Sequence, residues 1–172
     1  MKYGFGALAV TLLFTASAFP QEGSTIDPQY FSVFYYLQSP TQFIELERQN
    51  PSITLKGSKL LYTIPGEKSP VRFNANSKVR FIVRVTEDIN KAKATIQLFR
   101  FEAGNGQRQF LVKNRQSALD AANMKLNAEK YASSSLELSP VQELAPGEYC
   151  VSRTTISQGF CFGIDAAGKV GP

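Results

Sequence analysis

Apolar and polar residues alternate with a period of two along much of this chain, and the alternation is cleanest near its end. There Gly147-Glu-Tyr-Cys-Val-Ser-Arg153 and Gly159-Phe-Cys-Phe-Gly-Ile-Asp165 flank a short polar stretch. Strand side chains point to opposite faces in turn, so folding the stretch about Thr155 and Ile156 sets Cys150 opposite Cys161. In that register Tyr149 faces Phe162, Val151 faces Phe160 and Gly147 faces Ile164. Tyr149, Val151, Phe160, Phe162 and Ile164 then share one apolar face, the core of a β-hairpin. Cys150, Ser152, Gly159, Cys161 and Gly163 share the other face. A slip by one residue would set rings against the small residues, so the pattern itself selects the register. Thr155-Ile156 lacks the Gly or Asn of a two-residue primed turn, and a four-residue loop over Thr154–Ser157 is expected instead.

The rest of the chain reads as shorter strands between turn residues. Tyr30–Leu37 is aromatic and β-branched, and Gln38-Ser-Pro-Thr41 followed by Gln42–Leu46 completes a hairpin signature. So many rings imply that both faces of the first strand are covered; the alternative is a carbohydrate-stacking platform of Tyr30, Tyr35 and Tyr36. Ile53–Leu55 and Lys59–Ile64 are weaker strands, and Pro65–Pro70 is a turn by composition. Val71–Phe73 is a short strand before a turn at Asn74–Ser77. Within Val79–Val85, the residues Val79, Phe81, Val83 and Val85 are expected to face inward, leaving Arg80, Ile82 and Arg84 on a solvated outer face. Ala94–Phe101 and Gln107–Val112 form a second hairpin over Glu102–Gly106, where Asn105-Gly106 suits positive φ. Only Asn114–Asn123 leans to helix, with Ser117–Asp120 as a weak capping box. Met124, Leu126 and Ala128 alternate with Lys125, Asn127 and Glu129 as a strand would, and Ser134–Leu138 makes another.

About eight or nine short strands, with turn signals roughly every 8–12 residues, predict an all-β fold. The expected form is an antiparallel immunoglobulin-like β-sandwich, with a small β-barrel as the alternative. The approach Leu144-x-Pro146-Gly147-x-Tyr149 resembles the Leu-x-Pro-Gly-x-Tyr lead into a late strand of exported immunoglobulin-like and transthyretin-like sandwiches. That resemblance implies a Pro-Gly corner with Tyr149 packed beneath it. In antibody-type domains the corner tyrosine stands two residues before a cysteine that bridges the two sheets. Here Tyr149 immediately precedes Cys150 and the second cysteine lies in the neighbouring strand, so no inter-sheet bridge is implied. The longer string of Pro146-Gly-Glu-Tyr149 with Gly159–Asp165 is similar to the C-terminal end of exported bacterial proteins without an assigned activity. It bears on the fold alone.

Residues 1–18 read as a secretory signal peptide: Lys2 is the positive start, Phe5–Phe14 the apolar run and Ala16-Ser-Ala18 the cleavage site. A loose mature N-terminus (19–28), a single β-sandwich domain (29–166) and a flexible C-terminus (167–172) are expected to follow. The apolar run is too short to anchor in a bilayer, and no cysteine lies near the cleavage site to carry a lipid. The chain is therefore expected to be exported, periplasmic or extracellular, and neither membrane-spanning nor lipid-anchored. The roughly 150 residues left are enough for one domain with a core of its own. A net charge of +5, one less without Lys2, mildly favours anionic surfaces. Without a dense basic run, nucleic acid is not an expected partner.

Outside the cytoplasm the opposed cysteines are expected to form a Cys150–Cys161 disulfide, the alternative being two thiols packed as small side chains. Their Cβ atoms would stand about 4.5–5.5 Å apart as a cross-strand pair, and the short loop would contribute ~2–3 kcal/mol. The spacing is not Cys-x-x-Cys, which argues against redox catalysis. The absence of histidine removes Ser-His-Asp and Cys-His activation and histidine-containing zinc sites. Two cysteines cannot make a four-cysteine site, and no loop has the spaced acids of a calcium hand, so no metal or cofactor is expected. No Gly-Lys-Ser/Thr follows Gly104–Gly106, so that turn is not a phosphate loop. The lack of tryptophan counts modestly against carbohydrate binding. Paired carboxylates for glycoside hydrolysis remain open. The candidates are Glu45, Glu47, Glu102, Glu148 and Asp165, with surface charge and turn capping as the plainer roles and Asp165 expected to accept backbone hydrogen bonds in a turn. The expected function is a non-catalytic binding or structural role in the bacterial envelope, toward an unknown envelope protein or glycan. A glycan hydrolase and a ligand-carrying barrel lined by the aromatic first strand are the alternatives.

Overall fold

Period-two alternation and closely spaced turn residues produce an all-β molecule. The computed structural model describes residues 25–75, 77–112, 124–153 and 157–168. In chain order the strands are β1 (Phe34–Ser39), β2 (Gln42–Glu45), β3 (Glu47–Gln49), β4 (Ser52–Lys56), β5 (Lys59–Pro65), β6 (Arg72–Asn74) and β7 (Phe81–Arg84). A helix, α1 (Ile89–Thr95), precedes β8 (Ile96–Gly104), β9 (Gln107–Val112), β10 (Leu126–Lys130), β11 (Ser135–Pro140), β12 (Gly147–Arg153) and β13 (Gly159–Asp165). The expected signal peptide at 1–18, the helical leaning at Asn114–Asn123, the tip of the last loop at 154–156 and the last four residues lie outside the described residues.

One sheet has the order β10-β11-β7-β1-β2, and the larger one β3-β13-β12-β8-β9-β5-β4. Pairing is antiparallel except that β6 lies parallel to the second half of β13, while β3 takes the first half of the same edge. The larger sheet curls into a half-barrel. There are more strands than the expected eight or nine because runs are cut by changes of sheet: between β2 and β3 the chain passes from one sheet to the other at buried Leu46.

The β12–β13 hairpin pairs Tyr149 with Phe162, Cys150 with Cys161 and Val151 with Phe160, the register that alternation requires. Its apolar face meets the smaller sheet in the main core, where Phe34 packs on Phe160 (5.2 Å) and Phe81 on Phe162 (4.9 Å between ring centroids). Its other face is buried as well, against a second core inside the half-barrel that contains Phe99, Phe101, Tyr62, Ile64 and Val112. The β8–β9 turn tightens to Asn105-Gly106, both at positive φ, so Glu102–Gly104 extend β8 rather than forming a loop.

Four expectations are corrected. The first strand begins at Phe34, not Tyr30, because Ser32 takes a φ of 60°, which a strand cannot contain. A helix forms where none was expected: the Asp88 carboxylate accepts from the N–H groups of Asn90 (2.9 Å) and Lys91 (3.3 Å), capping Ile89–Thr95 and delaying β8 to Ile96. Residues 25–28 are not loose throughout, since Asp27 accepts hydrogen bonds from the hydroxyls of Ser133, Ser134 and Ser135. Finally, Ile82 is fully buried on the face expected to be solvated. The segment before β1 meets the end of that strand at Arg84: Ser32 N–H donates to the Arg84 carbonyl (2.8 Å), and the Arg84 guanidinium stacks 4.2 Å over the Phe31 ring and donates to the Pro28 carbonyl (3.4 Å).

Candidate functional site

The concave face of the half-barrel starts apolar and ends in charge. The alternation that turns Phe110 and Val112 inward also turns Arg108 inward from β9, and the faces that carry Cys150 and Cys161 carry Glu148 from β12 and Glu47 from β3. Arg108 is fully buried. Its guanidinium donates to both Glu47 carboxylate oxygens (2.7 and 3.0 Å) and to the carbonyls of Gly66 (3.1 Å) and Pro65 (3.3 Å). β3 and β9 are not neighbours in the sheet, so this ion pair ties one wall of the half-barrel to the other.

A second arginine extends the network. Glu148, 4.0 Å from Arg108 Nη1, accepts from Arg72 Nη1 (2.7 Å) and from the Ser69 N–H (2.8 Å). Arg72 also grips Asp165 through Nε (2.9 Å) and Nη2 (2.7 Å). The order Glu47, Arg108, Glu148, Arg72, Asp165 therefore alternates in sign. Arg72 reaches Glu148 by crossing Gly163, its partner in the parallel pairing; a Cβ there would stand 2.2 Å from Arg72 Nη1. Glycine is required at this position for the space that the guanidinium occupies.

This network corrects the roles expected of the acids. Asp165 serves an arginine rather than a turn, and Glu148 is buried rather than a surface charge. Glu45 stays exposed with Arg48 (3.1 Å), and Glu102 is exposed on β8. Three of the five acids are drawn onto arginines: Glu47 and Glu148 flank Arg108, and Glu148 and Asp165 flank Arg72. Burial pushes the Glu47 carboxyl up, but hydrogen bonds from Arg108, Ser69 and Gln49 outweigh it and hold the pKa below its ordinary value. Arg72 holds Asp165 below its ordinary value, chiefly through hydrogen bonding. A glycosidase general acid needs the opposite shift.

Arg72, Arg108 and Ser69 carry the site and went unnoticed in the sequence. Their signal is a charged residue at an inward position, Arg108 ahead of Phe110 and Val112, and Glu148 ahead of Cys150, opposite a glycine. An open cleft of about 570 Å³ beside the network is lined by Glu67, Lys68, Arg100, Glu102 and Glu148, among others.

The sulfurs of Cys150 and Cys161 are bonded, with Cα atoms 4.0 Å apart on neighbouring strands of one sheet. Tyr149 is buried and donates its hydroxyl to the Ala145 carbonyl (2.6 Å), closing the Pro146-Gly147 corner. The three tyrosines of the envisaged platform do not come together. Tyr30 is exposed and Tyr35 buried, while Tyr36 points to the opposite face of β1 and packs on Phe73 (4.3 Å). Among the described residues no helix is long and apolar enough to cross a membrane, and no cluster of three or more acids or cysteines could hold a metal ion. Comparison with protein-family models, curated proteins and solved structures finds no match.

Proposed function

We propose that this chain is an exported, non-catalytic β domain of the bacterial envelope that works by binding an envelope protein or glycan. One observation carries the reading: the acids drawn together in the half-barrel are each engaged by a buried or half-buried arginine. Carboxylates committed in this way hold the fold together, which leaves the outer surface to do the work. The interior of the half-barrel is filled by rings and the disulfide, which gives a ligand-carrying barrel no support. Export is supported by the leader-like residues 1–18 and by a disulfide, which persists in oxidising compartments.

The test is to immobilise the oxidised mature protein and challenge it with envelope extract and with purified envelope glycans. Retention of a component under mild washing, without release of reducing sugar, is expected. Sugar release that disappears in Glu148→Gln would establish a hydrolase instead. A protein that retains nothing has a purely structural role.

A further inference from the structure

We propose that the outer edge of β4 takes up an extended partner segment in which apolar and acidic residues alternate. The proposal rests on the binding reading above and names the surface and the partner's chemistry. Among the described residues β4 is paired on one side only, with β5, and each of its residues is exposed. The hairpin joining them turns over Gly57-Ser58, with Gly57 at a φ of 64° and Lys56 opposite Lys59. Residues flanking a two-residue turn exchange both of their hydrogen bonds, and the pattern then alternates. The N–H and C=O groups of Ile53 and Leu55 consequently point away from β5, a template for one more strand.

The two faces of this edge differ in chemistry. Ile53 and Leu55 point to the concave face beside Leu60 and Tyr62, and both are more than half exposed. The convex face carries Lys56 and, directly across from it, Lys59; like charges so placed repel. Neither lysine forms an ion pair among the described residues. They line a groove of about 350 Å³ with Leu61, Leu111, Gln109 and Glu102. Glu102, on β8, lines the same groove but forms no ion pair with either lysine among the described residues. A strand added here would set alternate side chains against Ile53 and Leu55 and the intervening ones beside the lysines. Charge complementarity makes those intervening residues acidic. The same repulsion disfavours a second copy of this basic chain.

The experiment titrates the intact oxidised protein with a capped peptide of alternating Val and Glu and with its Val-Lys counterpart, reading affinity and amide hydrogen exchange. The Val-Glu peptide is expected to slow exchange at Ile53 and Leu55 and to bind roughly five- to thirtyfold tighter than Val-Lys at low salt, the gap closing as salt rises. Lys56→Glu with Lys59→Glu should invert the preference. Leu55→Pro should abolish binding while the β4–β5 ladder survives, because the N–H removed is one that faces outward. Equal binding of both peptides, no protection by either, or binding untouched by Leu55→Pro would overturn the proposal. So would protection without peptide in a protein that sediments as a dimer, since the edge would then serve a second copy. Retention of an envelope component that Leu55→Pro leaves intact sinks the β4 site but keeps the binding reading, whereas no retention by any form removes both.

Discussion

At the scale of single residues, the positions that matter most are those where a side chain occupies another residue's space. Gly163→Ala puts a methyl group where Arg72 now lies, so the guanidinium must leave Glu148 buried without its partner. A loss of ~2–4 kcal/mol is expected in urea denaturation; unchanged stability would show that Arg72 has another route. Arg108→Met strands Glu47 and should cost about 3–5 kcal/mol, while replacing Glu47 and Arg108 together by leucine should recover part of that loss. A double-mutant cycle measures the coupling directly, and additive losses would mean that the two do not act as a pair.

At the scale of elements, the β12–β13 hairpin is the frame on which both cores are built, one on each face. Cys150→Ala with Cys161→Ala should lower stability by ~2–3 kcal/mol, because the short loop is freed in the unfolded chain. Thermal melts of the double variant and of the oxidised protein provide the comparison, and equal midpoints would refute the effect. This hairpin was legible because its ring-bearing and small positions alternate without interruption, so only one register buries the rings. α1 was not legible: seven residues with one buried side chain carry no periodic signal, and what starts the helix is the local cap from Asp88. β1 was shortened by a single backbone angle at Ser32, which the aromatic run gave no sign of.

At the scale of the molecule, charge couples the fold to pH. The carboxyls of Asp27, Glu47 and Asp165 are all held below their ordinary values. For Asp27, burial pushes upward, but hydrogen bonds from Ser133, Ser135 and Ser134 prevail. Each group holds its proton less tightly folded than unfolded. The stability it contributes is therefore complete above the unfolded pKa and is lost as pH falls through the folded one. Urea midpoints should stay level from about pH 7 to 5 and drop below about pH 4. Asp27→Asn should make the drop shallower, and a midpoint indifferent to acid would contradict the network. Asp27 ties the segment before β1 to the start of β11, so acid should release that segment early.

The features legible along the chain are local in origin. Alternation dictates strands, a clean alternation dictates the register of the last hairpin, and directly opposed cysteines then meet. The curl of the larger sheet belongs to the tertiary structure. It buries the face of β12 and β13 that holds small residues, and it carries Glu47 across to Arg108. A strand pattern says which residues share a face but not what covers that face, which is why Ile82 read as solvated. Ion pairs between residues as distant as Arg72 and Asp165 depend on where whole strands come to rest, so no window of sequence contains them.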